Sequence, residues 1–117
     1  MATQIFVYGT LKRGKENHGW MAGQTFVGTA RTQPCYRLYD LGGYPGMVAD
    51  ENGVSIEGEI WEVDEAGLTR LDILEDVAGG EYVRERIPLL PPLENAAVEG
   101  YRYLLPVAGR RDVGPAW

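Results

Sequence analysis

Cysteine, histidine and serine are almost missing from this 117-residue chain, which has one of each: Cys35, His18 and Ser55. A single cysteine excludes an internal disulfide framework. A zinc site needs three or four Cys, His or acidic ligands, and no spacing here groups Cys35 and His18 with such partners, so we predict no metal site. Most Ser- and Cys-based catalytic dyads are disfavoured as well. Any catalysis should therefore rest on carboxylates, the backbone and the substrate itself.

Long apolar runs and an excess of positive charge are also missing. No segment approaches the roughly eighteen apolar residues of a membrane-spanning helix. A strand begins by Ile5 and leaves no room for a signal peptide, so we expect a cytoplasmic protein. The net charge of −6 is spread along the chain and disfavours binding to nucleic acid. The length favours a single domain, residues 1–117, with its own core.

Short β-prone segments separated by glycine turns account for most of the chain. The predicted strands are 4–8, 25–31, 35–41, 47–50, 54–63, 82–89 and 98–105. The first is continuously apolar, which predicts burial on both faces. Segments 47–50 and 54–63 flank Glu51-Asn52-Gly53, which predicts a hairpin. This pattern indicates an antiparallel-rich barrel or a strongly curved sheet.

The clearest helical segment is 64–76, with Asp64 as its N-cap. Leu68 and Leu71 define its inward stripe, and Glu75 lies on the same face. A carboxylate directed at a core has a raised pKa and could transfer protons near neutral pH. Alternatively, the helix ends before Glu75 and the side chain reaches solvent, or a nearby arginine (84 or 86) neutralises it.

The segment after the first strand, Gly9 to Lys15, has the G-x-x-x-x-G-K spacing of a phosphate-binding loop. Glu16 stands where that motif needs Ser or Thr, and the expected βαβ context is missing. We interpret the segment as a glycine turn, in which Gly9 can adopt positive φ and leaves room for a ligand. The N–H groups of Gly9, Thr10 and Leu11 could converge on a carboxylate. On the loop alone, a routine strand-ending turn is the simpler interpretation.

Three segments together resemble one family. Segment 7–18 (VYGTLKRGKENH) resembles the signature of the gamma-glutamylcyclotransferase-like family, in its short gamma-glutamylamine cyclotransferase branch. Segment 42–48 (GGYPGMV) resembles the second loop of that branch. Segment 71–87 (LDILEDVAGGEYVRERI) resembles its helix-to-strand region, where a glutamate precedes a Tyr-x-Arg pair. The resemblance is poorest after Pro106, and we expect residues 106–117 to form a tail that is either loose or pinned by Trp117.

The resemblance implies an α+β fold, a small mixed, antiparallel-rich β-barrel with one or two α-helices and a cavity over the glycine turn. It implies that Glu75 is the catalytic acid and base. The substrate-binding residues that it implies are Tyr8, Gly9, Thr10, Leu11 and Tyr82.

The reaction that the resemblance implies is release of an amine or amino acid from a γ-glutamyl amide, with closure of the glutamyl part into 5-oxoproline. The nucleophile is the substrate's own α-amine, so no metal or cofactor is needed. The expected partner is a small γ-glutamyl molecule, not nucleic acid or a membrane. The sequence leaves the leaving group and the oligomeric state open. Alternatives are another acyl or amine substrate, a non-catalytic module that binds a small carboxylate, or a protein-interaction adaptor.

Overall fold

The computed structural model describes residues 2–117. These residues form eight β-strands, one α-helix and one short 3₁₀ helix. The strands are β1 (Thr3–Val7), β2 (Thr25–Arg31), β3 (Tyr36–Asp40), β4 (Pro45–Ala49), β5 (Glu57–Val63), β6 (Tyr82–Arg86), β7 (Glu99–Tyr103) and β8 (Arg111–Asp112). The helices are α1 (Glu65–Leu74) and the 3₁₀ helix His18–Met21. No helix within residues 2–117 is long and apolar enough to cross a membrane.

A five-stranded sheet in the order β2-β5-β1-β7-β6 forms the centre of the fold. Its neighbouring strands are antiparallel, except that β1 and β7 are parallel. Ile5 and Phe6 in β1 are completely buried, which confirms the prediction for this strand. Successive side chains of a strand point to opposite faces. Ile5 accordingly packs in one core with Leu71 of α1, and Phe6 packs in a second core with Leu38 of β3.

A three-stranded sheet, β4-β3-β8, lies beside the large sheet. Because β4 pairs with β3 along its whole length, the predicted hairpin between β4 and β5 is wrong. The turn itself forms, since the Gly53 N–H donates to the Asp50 carbonyl at 2.9 Å. However, β5 is paired with β1 on one edge and β2 on the other, so it has no free edge for β4.

The predicted β-barrel is also wrong, because the sheets are not closed. Within residues 2–117, the outer strands β2 and β6 do not pair with each other. The chain directly after β2 meets the chain after β6 where Thr32 and Leu89 form an isolated bridge. Pro88 and the Pro91-Pro92 pair flank this bridge and have no N–H to extend a ladder. The coarser prediction of a small α+β fold, mostly strands with one α-helix, is confirmed.

Helix α1 begins as predicted and ends early. The Asp64 carboxylate accepts a hydrogen bond from the Gly67 N–H at 2.7 Å, which caps the first turn. The helix ends at Leu74, and Glu75 is its C-cap. Asp76 has a φ of 51°, a left-handed conformation that cannot continue a right-handed helix.

Residues 106–117 pack against the small sheet, the segment after β1 and the second core. Strand β8 pairs with β3, with Tyr39 opposite Asp112. The Trp117 carbonyl accepts a hydrogen bond from Lys12 Nζ at 3.0 Å, and Trp117 packs against the second core. These contacts join the tail to the small sheet and to the segment after β1.

Candidate active site

The glycine turn after β1 lies against the loop that leads into β4. A methyl group at Gly9 would lie 2.5 Å from Cγ and 2.8 Å from Cδ of Pro45, far inside van der Waals contact. The φ of Gly9 is not in the left-handed region, so the positive φ considered from the sequence is not what this position needs. Glycine is required here because Pro45 approaches the backbone so closely.

A buried carboxylate fixes the segment after the turn. Glu59 Oε1 accepts hydrogen bonds from the Arg13 N–H (3.0 Å) and from Trp61 Nε1 (3.1 Å), and Arg13 Nε donates to Oε2 (3.0 Å). Burial raises the pKa of Glu59, but these hydrogen bonds and the Arg13 charge outweigh that effect and lower it. Glu59 therefore stays ionised and holds the segment on β5.

The turn has backbone donors that the protein does not use. Asn17 Nδ2 donates to Thr10 Oγ1 at 2.9 Å, and His18 Nδ1 lies 3.0 Å from the Leu11 carbonyl. These contacts hold the turn by its side chains and carbonyls. Within residues 2–117, the N–H groups of Gly9, Thr10 and Leu11 donate to no protein acceptor. Consecutive free N–H groups of this kind are suited to an anion.

Glu75 lies at the C-cap of α1, where its N–H still donates to the Leu71 carbonyl at 2.9 Å. The residue is half-buried and lies in the cavity wall. Burial raises the pKa of Glu75 from 4.5 to about 7, and the negative charge of Glu81 adds to the rise. A carboxyl group with a pKa near 7 can accept and return a proton at neutral pH.

The arginines that could have neutralised Glu75 are engaged elsewhere. Arg84 forms ion pairs with Asp72 at 2.9 Å and with Glu99 at 2.6 Å. Arg86 is exposed and donates to a backbone carbonyl. The helix does end before Glu75, as one alternative from the sequence allowed, but the side chain remains on the inward side.

Two tyrosines form rigid walls beside Glu75. The Tyr8 hydroxyl donates to the Tyr101 carbonyl at 2.7 Å and accepts from the Met47 N–H at 3.2 Å. The Tyr82 hydroxyl donates to the Pro45 carbonyl at 2.8 Å. Burial raises the pKa of both tyrosines. Both hydroxyls therefore stay protonated and remain engaged in these hydrogen bonds, which suits a structural role at the cavity wall.

Two adjoining cavities lie between these elements. The inner cavity has a volume of about 30 Å³, and its lining includes all six residues that the sequence singled out. These are Tyr8, Gly9, Thr10, Leu11, Glu75 and Tyr82. An outer cavity of about 380 Å³ shares four wall residues with the inner one. Glu75 is one of the four, so its side chain lies on the boundary between the two.

Sequence reasoning missed several wall residues. Tyr44 and Pro45 line the inner cavity, and their signal was present, because both lie in the GGYPGMV segment. Glu81 lines the outer cavity and directly precedes Tyr82. Tyr101 reaches the site from β7, and no local pattern marks it. Within residues 2–117, no group of three or more His, Cys, Asp or Glu side chains could hold a metal ion.

Comparison with known sequences gives a consistent family. The sequence model of the family described as "Gamma-glutamyl cyclotransferase, AIG2-like" matches residues 5–115. A relative from Vibrio cholerae, provisionally named a gamma-glutamylcyclotransferase, is 49% identical over 83 residues, which are 71% of this chain and 70% of the relative.

Solved structures show the same fold. The solution structure of YtfP from Escherichia coli is similar with a TM-score of 0.73 and 36% identity, over 98% of this chain and 96% of that one. The crystal structure of a protein specific to uropathogenic E. coli is similar with a TM-score of 0.85 and 29% identity, over 100% of this chain and 93% of that one.

Proposed function

Because this chain belongs to the AIG2-like gamma-glutamyl cyclotransferase family and is an enzyme of that type, we propose that it releases an amine from a γ-glutamyl amide and forms 5-oxoproline. One observation carries the proposal: Glu75, whose pKa burial raises to about 7, shares a cavity with the glycine turn and its free N–H groups. Glu75 is the proposed general base and general acid.

The two cavities support a division of the substrate between them. The inner cavity has room for one small group, such as a carboxylate or a carbonyl oxygen. The outer cavity, at about 380 Å³, lies within the usual size range of ligand sites and accommodates the rest of the substrate. Glu75 on the shared wall then lies beside the part of the substrate where bonds change.

Proton transfer follows from the pKa of Glu75. The ionised carboxylate takes a proton from the α-ammonium group of the substrate, and the resulting amine attacks the γ-carbonyl carbon. A new C–N bond forms and the carbonyl becomes an oxyanion. Glu75 returns its proton to the amide nitrogen, and the oxyanion collapses to a carbonyl as the amide C–N bond breaks. The second proton lost by the attacking nitrogen then goes to the released amine. The products are 5-oxoproline and the released amine in its protonated form.

The glycine turn supplies donors for negative oxygen atoms. The substrate has two such sites, its α-carboxylate throughout and the oxyanion during ring closure. The N–H groups of Gly9, Thr10 and Leu11 are proposed to serve these acceptors. Ring closure is intramolecular, and holding the chain folded can be worth about 10⁵–10⁸ M in effective concentration. The rigid walls of Tyr8 and Tyr82 favour that folded shape.

Replacement of Glu75 by glutamine tests the proposal. Glu75→Gln keeps the shape of the side chain and removes the proton carrier, so kcat should fall by about 10²- to 10⁴-fold. The assay measures 5-oxoproline and released amine from a panel of γ-glutamyl amides. The matched control is Glu62→Gln, which removes an exposed carboxylate on β5 outside the two cavities.

The same assay separates the alternatives. Formation of 5-oxoproline at the wild-type rate by Glu75→Gln would show that Glu75 is not the proton carrier. Tight binding of the amides by the wild-type protein with no release of amine would instead indicate a non-catalytic module that binds small carboxylates.

A further inference from the structure

The outer cavity has charge of only one sign on its wall. Glu16, Glu75 and Glu81 line it, and within residues 2–117 no lysine or arginine does. The remaining lining is backbone and uncharged side chains, including Asn17 and Tyr44. A substrate group in this cavity is therefore surrounded by carboxylates.

Glu81 is held in place at this wall. Its Oε2 accepts a hydrogen bond from the Tyr44 hydroxyl at 3.1 Å, and its side chain is half-buried. The negative charge of Glu81 acts on Glu75 and contributes to the raised pKa of Glu75. Glu81 thus lies close to the position where the proposed reaction takes place, whereas Glu16 lines the same cavity and is exposed.

A nearby arginine does not cancel these charges inside the cavity. Burial and Glu81 raise the pKa of Tyr44, and the charge of Arg110 opposes that rise, which places Arg110 in the neighbourhood. However, Arg110 Nη1 donates to the Leu41 carbonyl at 3.3 Å, and Arg110 does not line the cavity. The wall that a substrate would contact remains acidic.

We propose that Glu81 and Glu16 select a leaving group that carries a positive charge and no carboxylate, the class of diamines and polyamines. This inference rests on the proposed function and narrows it. A positively charged end gains from the two carboxylates, and the carboxylate of an amino-acid leaving group is repelled by them. Selection by such repulsion is a common source of specificity.

The test compares three γ-glutamyl amides of equal length whose leaving groups end in an ammonium, a methyl or a carboxylate group. The kcat/KM values are measured at low salt and at a pH well above the pKa of Glu75, so that its ionisation is the same in every variant. We expect the ammonium-ended amide to exceed the methyl-ended one by about fivefold, and the carboxylate-ended one to fall below it by a similar factor.

Charge-neutral variants assign the effect to residues. The ratio of kcat/KM between the ammonium- and carboxylate-ended amides should fall toward one in Glu81→Gln and further in Glu81→Gln with Glu16→Gln. Added salt should reduce the ratio in the wild type. Glu62→Gln, which removes the same charge from outside the cavity, should keep the wild-type ratio.

The outcomes are distinguishable. Turnover of the methyl-ended amide with no preference between charged ends would overturn this inference and leave the proposed function intact. A wild-type preference that survives in the double variant would assign selection to other residues and overturn the roles of Glu81 and Glu16. No turnover of any of the amides would overturn the proposed function and, with it, this inference.

Discussion

Glu75 combines two conditions that rarely occur together, burial of a carboxyl group and freedom from an ion pair. Burial raises its pKa to about 7 because the charged form loses its hydration. Arg84, one of the two arginines that could have offset this, is bound to Asp72 and Glu99. The folded protein therefore bears a cost for keeping Glu75 ionised, and that cost depends on pH.

We predict that Glu75 lowers stability as pH rises from about 4.5 to about 7. Below this window, Glu75 is protonated in both the folded and unfolded states and contributes nothing. Within it, the unfolded chain releases the proton and the folded protein retains it, so the unfolded state is favoured. Above it, the full penalty applies, up to about 3 kcal/mol for a shift of this size.

Denaturant unfolding of the wild type and Glu75→Gln across this pH range measures the effect. The difference in free energy of unfolding, variant minus wild type, should increase through the window and level off above about 7. Glutamine does not titrate, and the other titratable groups are the same in both proteins. Their contributions to the free energy of unfolding therefore cancel in the difference. A difference that stays constant across the range would contradict the raised pKa.

Single residues were predictable here where local pattern determines them. The helical periodicity placed Glu75 on the inward face, and the resemblance placed the glycine turn and Tyr82, all of which line one cavity. The reason for Gly9 was not predictable, because it depends on Pro45, which is distant in sequence. Tyr101 was missed for the same reason: it reaches the cavity from a strand that pairs in parallel with β1.

At the scale of elements, helix α1 is connected to the large sheet by a polar cluster one turn before Glu75. Asp72 Oδ1 accepts hydrogen bonds from Arg84 Nε at 2.9 Å and from the Tyr101 hydroxyl at 2.8 Å. Arg84 Nη1 also donates to Glu99 at 2.6 Å. The cluster connects α1 to β6 and β7 and so fixes the end of the helix from which Glu75 extends.

We predict that Asp72→Asn lowers kcat and stability together. Asparagine has no negative charge, and its NH₂ group would replace the Asp72 Oδ2 that accepts a hydrogen bond from Arg84 Nη2 at 3.3 Å. The substitution therefore removes the charge assistance from this cluster, and a hydrogen bond to a charged group is worth about 1.5–3 kcal/mol. Stability should fall by an amount in that range, and kcat should fall because the end of α1 is less well positioned. The measurements are denaturant unfolding and 5-oxoproline formation.

The control for Asp72→Asn is Asp76→Asn, which changes an exposed residue whose left-handed φ asparagine adopts readily. It should leave kcat close to that of the wild type. Equal effects of the two substitutions would show that the polar cluster does not position Glu75.

The type of a helix or strand was more predictable from the sequence than the strand with which it pairs. The segment 25–31 was predicted at the bounds that β2 has, and α1 was predicted with its correct N-cap. The hairpin around Glu51-Asn52-Gly53 was wrong because a turn signal does not specify which strands pair. The helix end was placed two residues late because Asp76 gives no clear stop signal in the sequence.

At the scale of the whole molecule, the candidate site lies where the two sheets meet. Tyr8 follows β1 of the large sheet and bonds to Met47 of β4, and Tyr82 of β6 bonds to Pro45 of β4. The turn at Gly9 touches Pro45 at the same place. The closed barrel was predicted because the strand pattern does not reveal that β3 and β4 form a separate sheet. The position of the cavity depends on this arrangement of two sheets.

We predict that Tyr8→Phe weakens the junction between the sheets. The substitution removes the hydroxyl that bridges the Tyr101 carbonyl and the Met47 N–H, and leaves the N–H buried without an acceptor. An unsatisfied buried donor costs about 1–3 kcal/mol, so the free energy of unfolding should fall by that amount. KM for a γ-glutamyl amide should rise as well, because Tyr8 lines the inner cavity.

The matched control is Tyr39→Phe, which changes a tyrosine of β3 whose hydroxyl has no hydrogen-bond partner in the part of the chain from residue 2 to residue 117. Denaturant unfolding and steady-state kinetics are measured for both variants under the same conditions. Tyr39→Phe should stay within about 0.5 kcal/mol of the wild type, as most such substitutions do. If Tyr8→Phe were equally harmless, the tyrosine would not join the sheets, and the close contact of Pro45 with Gly9 would have to hold the cavity together instead.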